Sequence, residues 1–275
     1  MVVTQAPSVL TDEELRLFQG LFKQHIGLHL SREKKALLAS RLAKRIGELE
    51  LDSFRDYHRL IVGDHAEAQA ERQRAIDLIT TNETYFFREK KHFDFLRSQV
   101  LPRHAHARPF NVWSAASSSG EEAYSIAMLL DDVLGESPWS IFGSDISQRI
   151  LAKARRALYP MVRCEQVPPE YLKRYCLRGQ GEYTGQLLVS RALRERVTFN
   201  QLNLTALPAR LGPFDAVFLR NVIIYFDAPT KIEVVKAVTR HLRPGGYLFV
   251  GHSESLHGMP LELETIAPSI YRKPP

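Results

Sequence analysis

Between Asn111 and Met128 the sequence reads NVWSAASSSGEEAYSIAM, a short apolar run, a turn of small residues and then a helical pattern. Nucleotide-binding chains use that order because Ala, Ser and Gly let a ligand approach the backbone, and the helix opens with N–H groups that have no intrahelical partner. Glu121 and Glu122 stand where a phosphate would otherwise lie. Two carboxylates repel a pyrophosphate, so the turn suits a ligand with positive charge, such as an amino group or a sulfonium. The next apolar run, WSIFGSD, ends in Asp145, where doubly wound sites hold a ribose diol with a carboxylate. These features point to an adenosyl ligand without phosphates. Acidic residues at a helix start also occur simply as partners of the helix dipole.

Other reactive groups fit their chemistries less well. GHSES, residues 251 to 255, approaches the nucleophile elbow GxSxG but lacks its last glycine, and no Asp followed by His remains downstream to complete a triad. His104 with His106, and His252 with Glu254 and His257, lack the HExxH spacing and a third convergent ligand, so they read as loop histidines and no metal is expected. Cys164 and Cys176 are too few for a disulfide framework and lack zinc-site neighbours, which agrees with a reducing compartment.

The elements that would position these groups fall into two parts, as 275 residues suggest. From Thr11 to about Ile79 apolar residues recur at helical spacing, as in Leu15, Phe18, Leu21 and Phe22, then Leu37, Leu38, Leu42 and Ile46. Thr11 with Glu14 fits a capping box, Ser31 gives the cap half of one, and Gly47 reads as a helix stop. From about Phe110 the runs NVWSA, WSIFGSD, FDAVFLRNV and GYLFVGH alternate with helical stretches, which predicts a mostly parallel α/β sheet. Residues 164 to 200, punctuated by Gly179, Gly181 and Gly185 and containing QLLVS and RVTF, read as a small β appendage. The predicted division is a helical domain over 1–79, a linker and first helix over 80–109, and an α/β domain over 110–275.

Composition excludes several classes. Hydrophobic residues make up 44% and charged residues 25% of the chain, as in globular proteins rather than disordered or fibrous ones. No run reaches a membrane span and acidic residues interrupt the N-terminus, so a cytoplasmic protein not inserted in a membrane is expected. The net charge of +6 is modest but uneven. Between Lys23 and Glu48 seven basic residues face two acidic ones, a local +5, and Lys34, Arg41 and Arg45 share one helical face. Such faces are often only solvated; nucleic acid is disfavoured as a partner because no aromatics or zinc fingers accompany the charge.

The chain resembles the CheR-type chemotaxis receptor methyltransferases. The resemblance rests on TTNETYFFRE (80–89), WSAASSSGEEAYSIAM (113–128), GSDIS (143–147), NLT (203–205), FDAVFLRNVIIYFD (214–227) and LRPGGYLFVGHSES (242–255), and spans nearly the whole chain. Members often carry Cys and Thr in the small-residue turn, Pro after the paired glutamates and Cys at the place of Leu219; here Ser residues and Ala123 keep the turn small. The resemblance implies an α/β fold: an all-helical N-terminal domain, then a Rossmann-like S-adenosylmethionine methyltransferase domain with a small antiparallel β subdomain. The implied activity esterifies glutamate side chains of bacterial chemoreceptors in chemotaxis adaptation, releasing S-adenosylhomocysteine.

Transferred residue by residue, the resemblance implies a cofactor site of Asn82, Thr84, Arg88, Glu121 or Glu122, Asp145, Asn203, Leu204, Arg220 and Asn221, with Tyr225 near the transferred methyl group; Arg88 and Tyr225 are expected to orient the methionine end and the incoming carboxylate. Phe86, Phe87 and Phe226 read instead as core aromatics. The resemblance also implies that Lys34, Arg41, Lys44 and Arg45 dock on the acidic helical bundle of the receptor's cytoplasmic region. In some members the small sheet takes the receptor's C-terminal peptide as an added strand; here that edge stays open between peptide binding and simple coverage. The alternative to an enzyme is a signalling module that binds S-adenosylmethionine or a receptor without transferring methyl groups.

Overall fold

The computed structural model describes residues 9–104 and 108–275, so His106 lies outside the described residues. The chain divides into two compact units, one of residues 1–81 with 225–230 and the other of 82–224 with 231–275.

The first unit holds α1 (Asp12–Ile26), α2 (Lys35–Glu48), α3 (Phe54–Val62) and α4 (Ala66–Ile79). Its start follows the sequence signal: Glu14 N–H donates to Thr11 Oγ1 at 3.2 Å, and Thr11 N–H donates to the Glu14 carboxylate at 2.8 Å. Gly27, at φ 70°, closes α1 in the left-handed conformation that glycine adopts without a Cβ penalty. Phe18, Phe22, Leu42, Ile46, Phe54 and Tyr57 form the buried interior.

Three local expectations are corrected. Ser31 precedes only a single 3₁₀ turn, Arg32–Lys34, and its hydroxyl makes no cap bond. Gly47 lies inside the last turn of α2, where a Cβ would meet nothing within 4 Å; the left-handed residue that ends the turn is Glu50, at φ 55°. Leu37 is 44% exposed and belongs to the outer face.

The second unit opens with α5 (Lys90–Phe95), a π turn over Leu96–Val100 and a 3₁₀ turn over Leu101–Arg103. It continues as β1 (Phe110–Ala115), α6 (Glu121–Leu134), β2 (Trp139–Asp145), α7 (Gln148–Arg156), β3 (Leu158–Pro160), α8 (Pro169–Tyr175), β4 (Cys176–Arg178), β5 (Gln186–Val189) and α9 (Arg191–Arg194). Then follow β6 (Val197–Gln201), β7 (Phe214–Leu219), α10 (Ala228–Arg240), β8 (Leu242–Val250), β9 (Glu264–Ala267) and β10 (Ile270–Arg272).

Seven strands form one sheet in the order β6-β2-β1-β7-β8-β10-β9, parallel from β6 to β8 and antiparallel over β8, β10 and β9. β7 is buried along its whole length and β1 over five of six residues, which is why both read as apolar runs rather than as alternation. β3, β5 and β4 form a separate antiparallel sheet. The predicted appendage of residues 164 to 200 is thereby shifted: it begins at Leu158, and RVTF belongs to β6, paired in parallel with β2. Proximity along the chain grouped RVTF with the small sheet, whereas its alternating burial suits the edge of the large one.

The strand order reverses direction between β1 and β7. Sheets of this kind bind ligands outside the carboxyl ends of the strands at such a switch point.

Candidate active site

Five parallel strands deliver the candidate residues to that end of the sheet. β1 leads into the turn before Glu121 and Glu122, β2 ends in Asp145, β6 leads to Asn203 and Leu204, β7 to Arg220 and Asn221, and β8 to Gly251 and His252.

The turn after β1 is shaped by its backbone. Ala116, Ser118 and Gly120 have φ of 69°, 50° and 95°. A Cβ on Gly120 would lie 2.9 Å from the Tyr159 hydroxyl, so that position requires glycine twice over. Ser118 N–H donates to Asp145 Oδ2 at 2.9 Å and Ser147 N–H to Oδ1 at 3.0 Å. Asp145 therefore holds the turn and the end of β2 together, a role the sequence did not reveal. The Ser118 hydroxyl donates to the Asn82 carbonyl at 2.9 Å, which ties the linker to the same turn.

The paired glutamates sit differently from the expectation that they face a ligand as bare charges. Glu121, fully buried, accepts from Arg163 Nη1 at 2.9 Å and from the Ser119 hydroxyl at 2.6 Å. Glu122 accepts from Arg220 Nη1 at 3.0 Å and from the Ser114 hydroxyl at 2.7 Å. Burial raises the pKa of both above the usual carboxylate value, and the guanidinium groups and hydroxyls only partly offset it. Two carboxylates already paired with guanidinium groups repel a phosphate less than the two free charges expected from the sequence would.

Arg220 is the hub. Its buried guanidinium pairs with Glu89 at 3.0 Å and with Glu122, and donates to the backbone carbonyl of Arg88. Burial disfavours the charge on Glu89, but Arg220 and hydrogen bonds from the His252 N–H and the Asn221 amide outweigh it, and its pKa is lowered. Asn221, at φ 56°, also donates its N–H to Glu254 Oε2 at 2.7 Å, an oxygen that accepts from Gly251 N–H at 2.7 Å as well. GHSES is therefore an anchor built on Glu254. The strand leads into turns and not a helix, and Ser253 is exposed, so no nucleophile elbow is present there.

The linker is held in unusual geometry. Phe87 and Glu89 have φ of 55° and 60°, rare for bulky residues, and Phe87 N–H donates to the Ser125 hydroxyl at 2.9 Å. Phe86 and Phe87 are buried, as their core reading requires. Arg88 between them and Glu89 is partly exposed, donates to the Glu83 carbonyl at 3.0 Å, and lies over the Tyr85 ring. Thr84 is partly buried. Asn203 shapes its own loop, its side-chain oxygen accepting from Thr205 N–H and hydroxyl, next to buried Leu204.

The sequence reading missed Glu89, Arg163, Glu254 and His92 as parts of this region. Glu89, His92 and His252 bring ligand atoms within 4.8 Å of one another. This differs from the expected grouping of His252 with Glu254 and His257. Both Glu89 oxygens already accept hydrogen bonds, and Arg220 lies 3.0 Å from one, so the cluster belongs to the ion-pair network. Both cysteines are poor nucleophiles, because burial pushes Cys164 up to about 11 and Cys176 to about 12.

Tyr225 groups with the helical unit, where its carbonyl accepts from His29 N–H and Lys34 Nζ lies 5.4 Å from its ring centroid. In the same unit the proposed basic face is largely engaged. Arg45 makes a two-pronged pair with the buried Glu71, at 2.8 and 2.7 Å, and Glu71 also accepts from the Tyr57 hydroxyl. Arg41 donates to the Ile79 and Thr80 carbonyls and the Thr81 hydroxyl. Lys44 stays 88% exposed. Arg41 and Arg45 thus also hold the fold of this unit.

The donor set fits an adenosyl cofactor: carboxylates and amides ring the switch point, and the Ser117 hydroxyl is buried there without a partner. Five parallel strands with a small-residue turn at the switch point make a doubly wound sheet of the kind that takes a nucleotide-like ligand. The family comparison is specific. Residues 82–271 match the CheR methyltransferase SAM binding domain and residues 13–80 the CheR methyltransferase all-alpha domain, so the chain belongs to the CheR methyltransferase family. It is 38% identical to the chemotaxis protein methyltransferase of Salmonella typhimurium over 95% of this chain and 90% of that one. It is 41% identical to that of Klebsiella aerogenes over 90% and 84%, and 40% identical to that of Escherichia coli over 90% and 85%. The protein is a methyltransferase of chemotaxis using S-adenosylmethionine, and the non-catalytic alternative falls away. Among the described residues no helix is long and apolar enough to cross a membrane.

Proposed function

We propose that the chain methylates glutamate side chains on the cytoplasmic helical bundle of chemoreceptors, forming glutamyl methyl esters. The observation that carries this reading is the convergence of Glu121, Glu122, Asp145, Asn203, Leu204, Arg220 and Asn221 on the carboxyl ends of parallel strands, together with family membership. When bound, S-adenosylmethionine supplies an electrophilic methyl group. The acceptor carboxylate, with a pKa of roughly 4.3, is ionised at neutral pH and needs no general base. Charge is lost on both sides as the methyl transfers, so an oxyanion hole contributes little. The residues' work is positioning and exclusion of water. Arg88 orients the acceptor carboxylate and Tyr225 borders the transferring methyl; Glu121 faces the cofactor's amino group and Asp145 its ribose.

The test is transfer of labelled methyl groups to a receptor cytoplasmic fragment, read as alkali-labile methanol. Arg88→Ala is expected to lower kcat/KM about a hundredfold, a loss of roughly 2.7 kcal/mol of transition-state stabilisation. Tyr225→Phe should lower it less. Wild-type turnover in Arg88→Ala removes that role.

For docking, the face is Lys34, Arg41, Lys44 and Arg45, of which Lys44 is the most open to solvent. Lys44→Glu should raise KM for the receptor about threefold to tenfold at low salt, with the difference shrinking as salt rises, while cofactor affinity stays the same. A salt-independent KM equal to wild type rejects the docking face. Arg45→Glu is unsuitable, because it would bury two carboxylates against each other.

A further inference from the structure

We propose that Arg163 is a positioning residue for the cofactor turn, acting through Glu121 and making the small antiparallel sheet part of the cofactor site. The inference rests on the reading that Glu121 faces the cofactor.

Glu121 stands in the first turn of α6 with its side chain fully buried, and cannot reach bulk water. Its two oxygens have separate partners, Ser119 within the turn and Arg163 from 42 residues further along. Arg163 lies on the short helix Met161–Cys164 directly after β3 and is 42% exposed. That helix is fixed to the small sheet: β3 pairs with β5, and Met161 N–H donates to the Gly185 carbonyl at 2.9 Å. From β3 itself, the Tyr159 hydroxyl donates to the Ser119 carbonyl at 2.7 Å, beside Gly120. β3 and the short helix directly after it thus hold the turn at Ser119 and at Glu121.

The arrangement has a chemical consequence. A buried carboxylate without its cation takes up a proton in preference to staying charged. Burial already raises the pKa of Glu121 with Arg163 in place, so loss of Arg163 raises it further and shifts the group toward its neutral form. A neutral acid no longer attracts the cofactor's ammonium group. Arg163 thereby sets the charge of a residue it does not share a strand or helix with.

The experiment is calorimetric titration of S-adenosylmethionine and S-adenosylhomocysteine into the wild type, Arg163→Ala, Arg163→Lys, Glu121→Gln and the Arg163→Ala/Glu121→Gln double variant, from pH 6 to 9. Tryptophan fluorescence confirms that each is folded. Arg163→Ala is expected to raise Kd about tenfold at pH 7, with the deficit shrinking as pH rises and the charged form of Glu121 is favoured. Arg163→Lys should restore most of the affinity, kcat at saturating cofactor should change less than about twofold, and adding Arg163→Ala to Glu121→Gln should change Kd less than about twofold. A deficit equal at every pH, no deficit, or full additivity with Glu121→Gln overturns the inference. Wild-type affinity in Glu121→Gln instead removes the underlying reading of Glu121, and the inference with it.

Discussion

Replacing Arg220 by Ala should destabilise the α/β unit by roughly 3–5 kcal/mol, because removing one partner of a buried ion pair leaves the other charge uncompensated. Here two carboxylates lose their cation together: Glu89 and Glu122 both lie 3.0 Å from the guanidinium, whose side chain is 2% exposed. Neither can turn toward water without dragging its element, since Glu122 is in the first turn of α6 and Glu89 precedes α5. The Arg88 carbonyl also loses its donor, so the linker that presents the Arg88 side chain is released. The melting temperature should fall on the order of 10 °C. Cofactor Kd should rise at least tenfold at a temperature where the variant is still folded, each factor of ten being about 1.4 kcal/mol. Arg220→Lys keeps the charge but not the fork that reaches two carboxylates, so it should recover only part of either effect. Trp113 and Trp139 are both buried in this unit, and their fluorescence isolates its unfolding. An Arg220→Ala variant that melts and binds like wild type would show that the two carboxylates do not depend on this cation.

What could be read in the sequence is what depends on neighbours along the chain. The capping box of Thr11 and Glu14 needs only a four-residue frame, and NVWSA, WSIFGSD and FDAVFL announce buried parallel strands by their apolar content. The small-residue turn was equally legible, because its job is to make room. Partnerships across the chain were not. Arg45 reads as a solvated cation on a basic face until α4 brings Glu71 against it, 26 residues on. The alternation of buried and exposed positions in α4 offered one signal, since Glu71 falls on the same side as Ala68 and Ala75. Glu121 and Glu122 read as twin charges, although one turns to Arg163 and the other to Arg220. Glu89 lies within TTNETYFFRE, noticed for other residues, and Glu254 reads only as a candidate metal ligand beside His252 and His257. A motif names the residues that matter without saying which one touches a ligand and which one holds the backbone.

The same network predicts a dependence on pH. His92 is almost wholly buried, with Nε2 2.8 Å from the Ser269 hydroxyl and Nδ1 3.4 Å from Glu89, and it is faced also by Arg220, by Phe249 and by the ring of His252. Burial, then the charge of Arg220, push it down to about 3 despite the opposing pull of Glu89. In the unfolded chain a histidine titrates near 6.5. Between those values the unfolded state binds a proton that the folded state refuses, so stability rises with pH at about 1.4 kcal/mol per unit and falls as pH drops below about 6.5. Above that range both states are neutral and the contribution is constant. Urea unfolding followed by tryptophan fluorescence from pH 7.5 to 4.5 should show this slope added to that of the carboxylates. His92→Gln keeps a neutral polar group in the same place and has no proton to refuse, so its profile should be flatter by about 1.4 kcal/mol per pH unit below 6.5. Parallel profiles for wild type and variant would mean that His92 takes up its proton in the folded protein, with Glu89 and not Arg220 setting its charge.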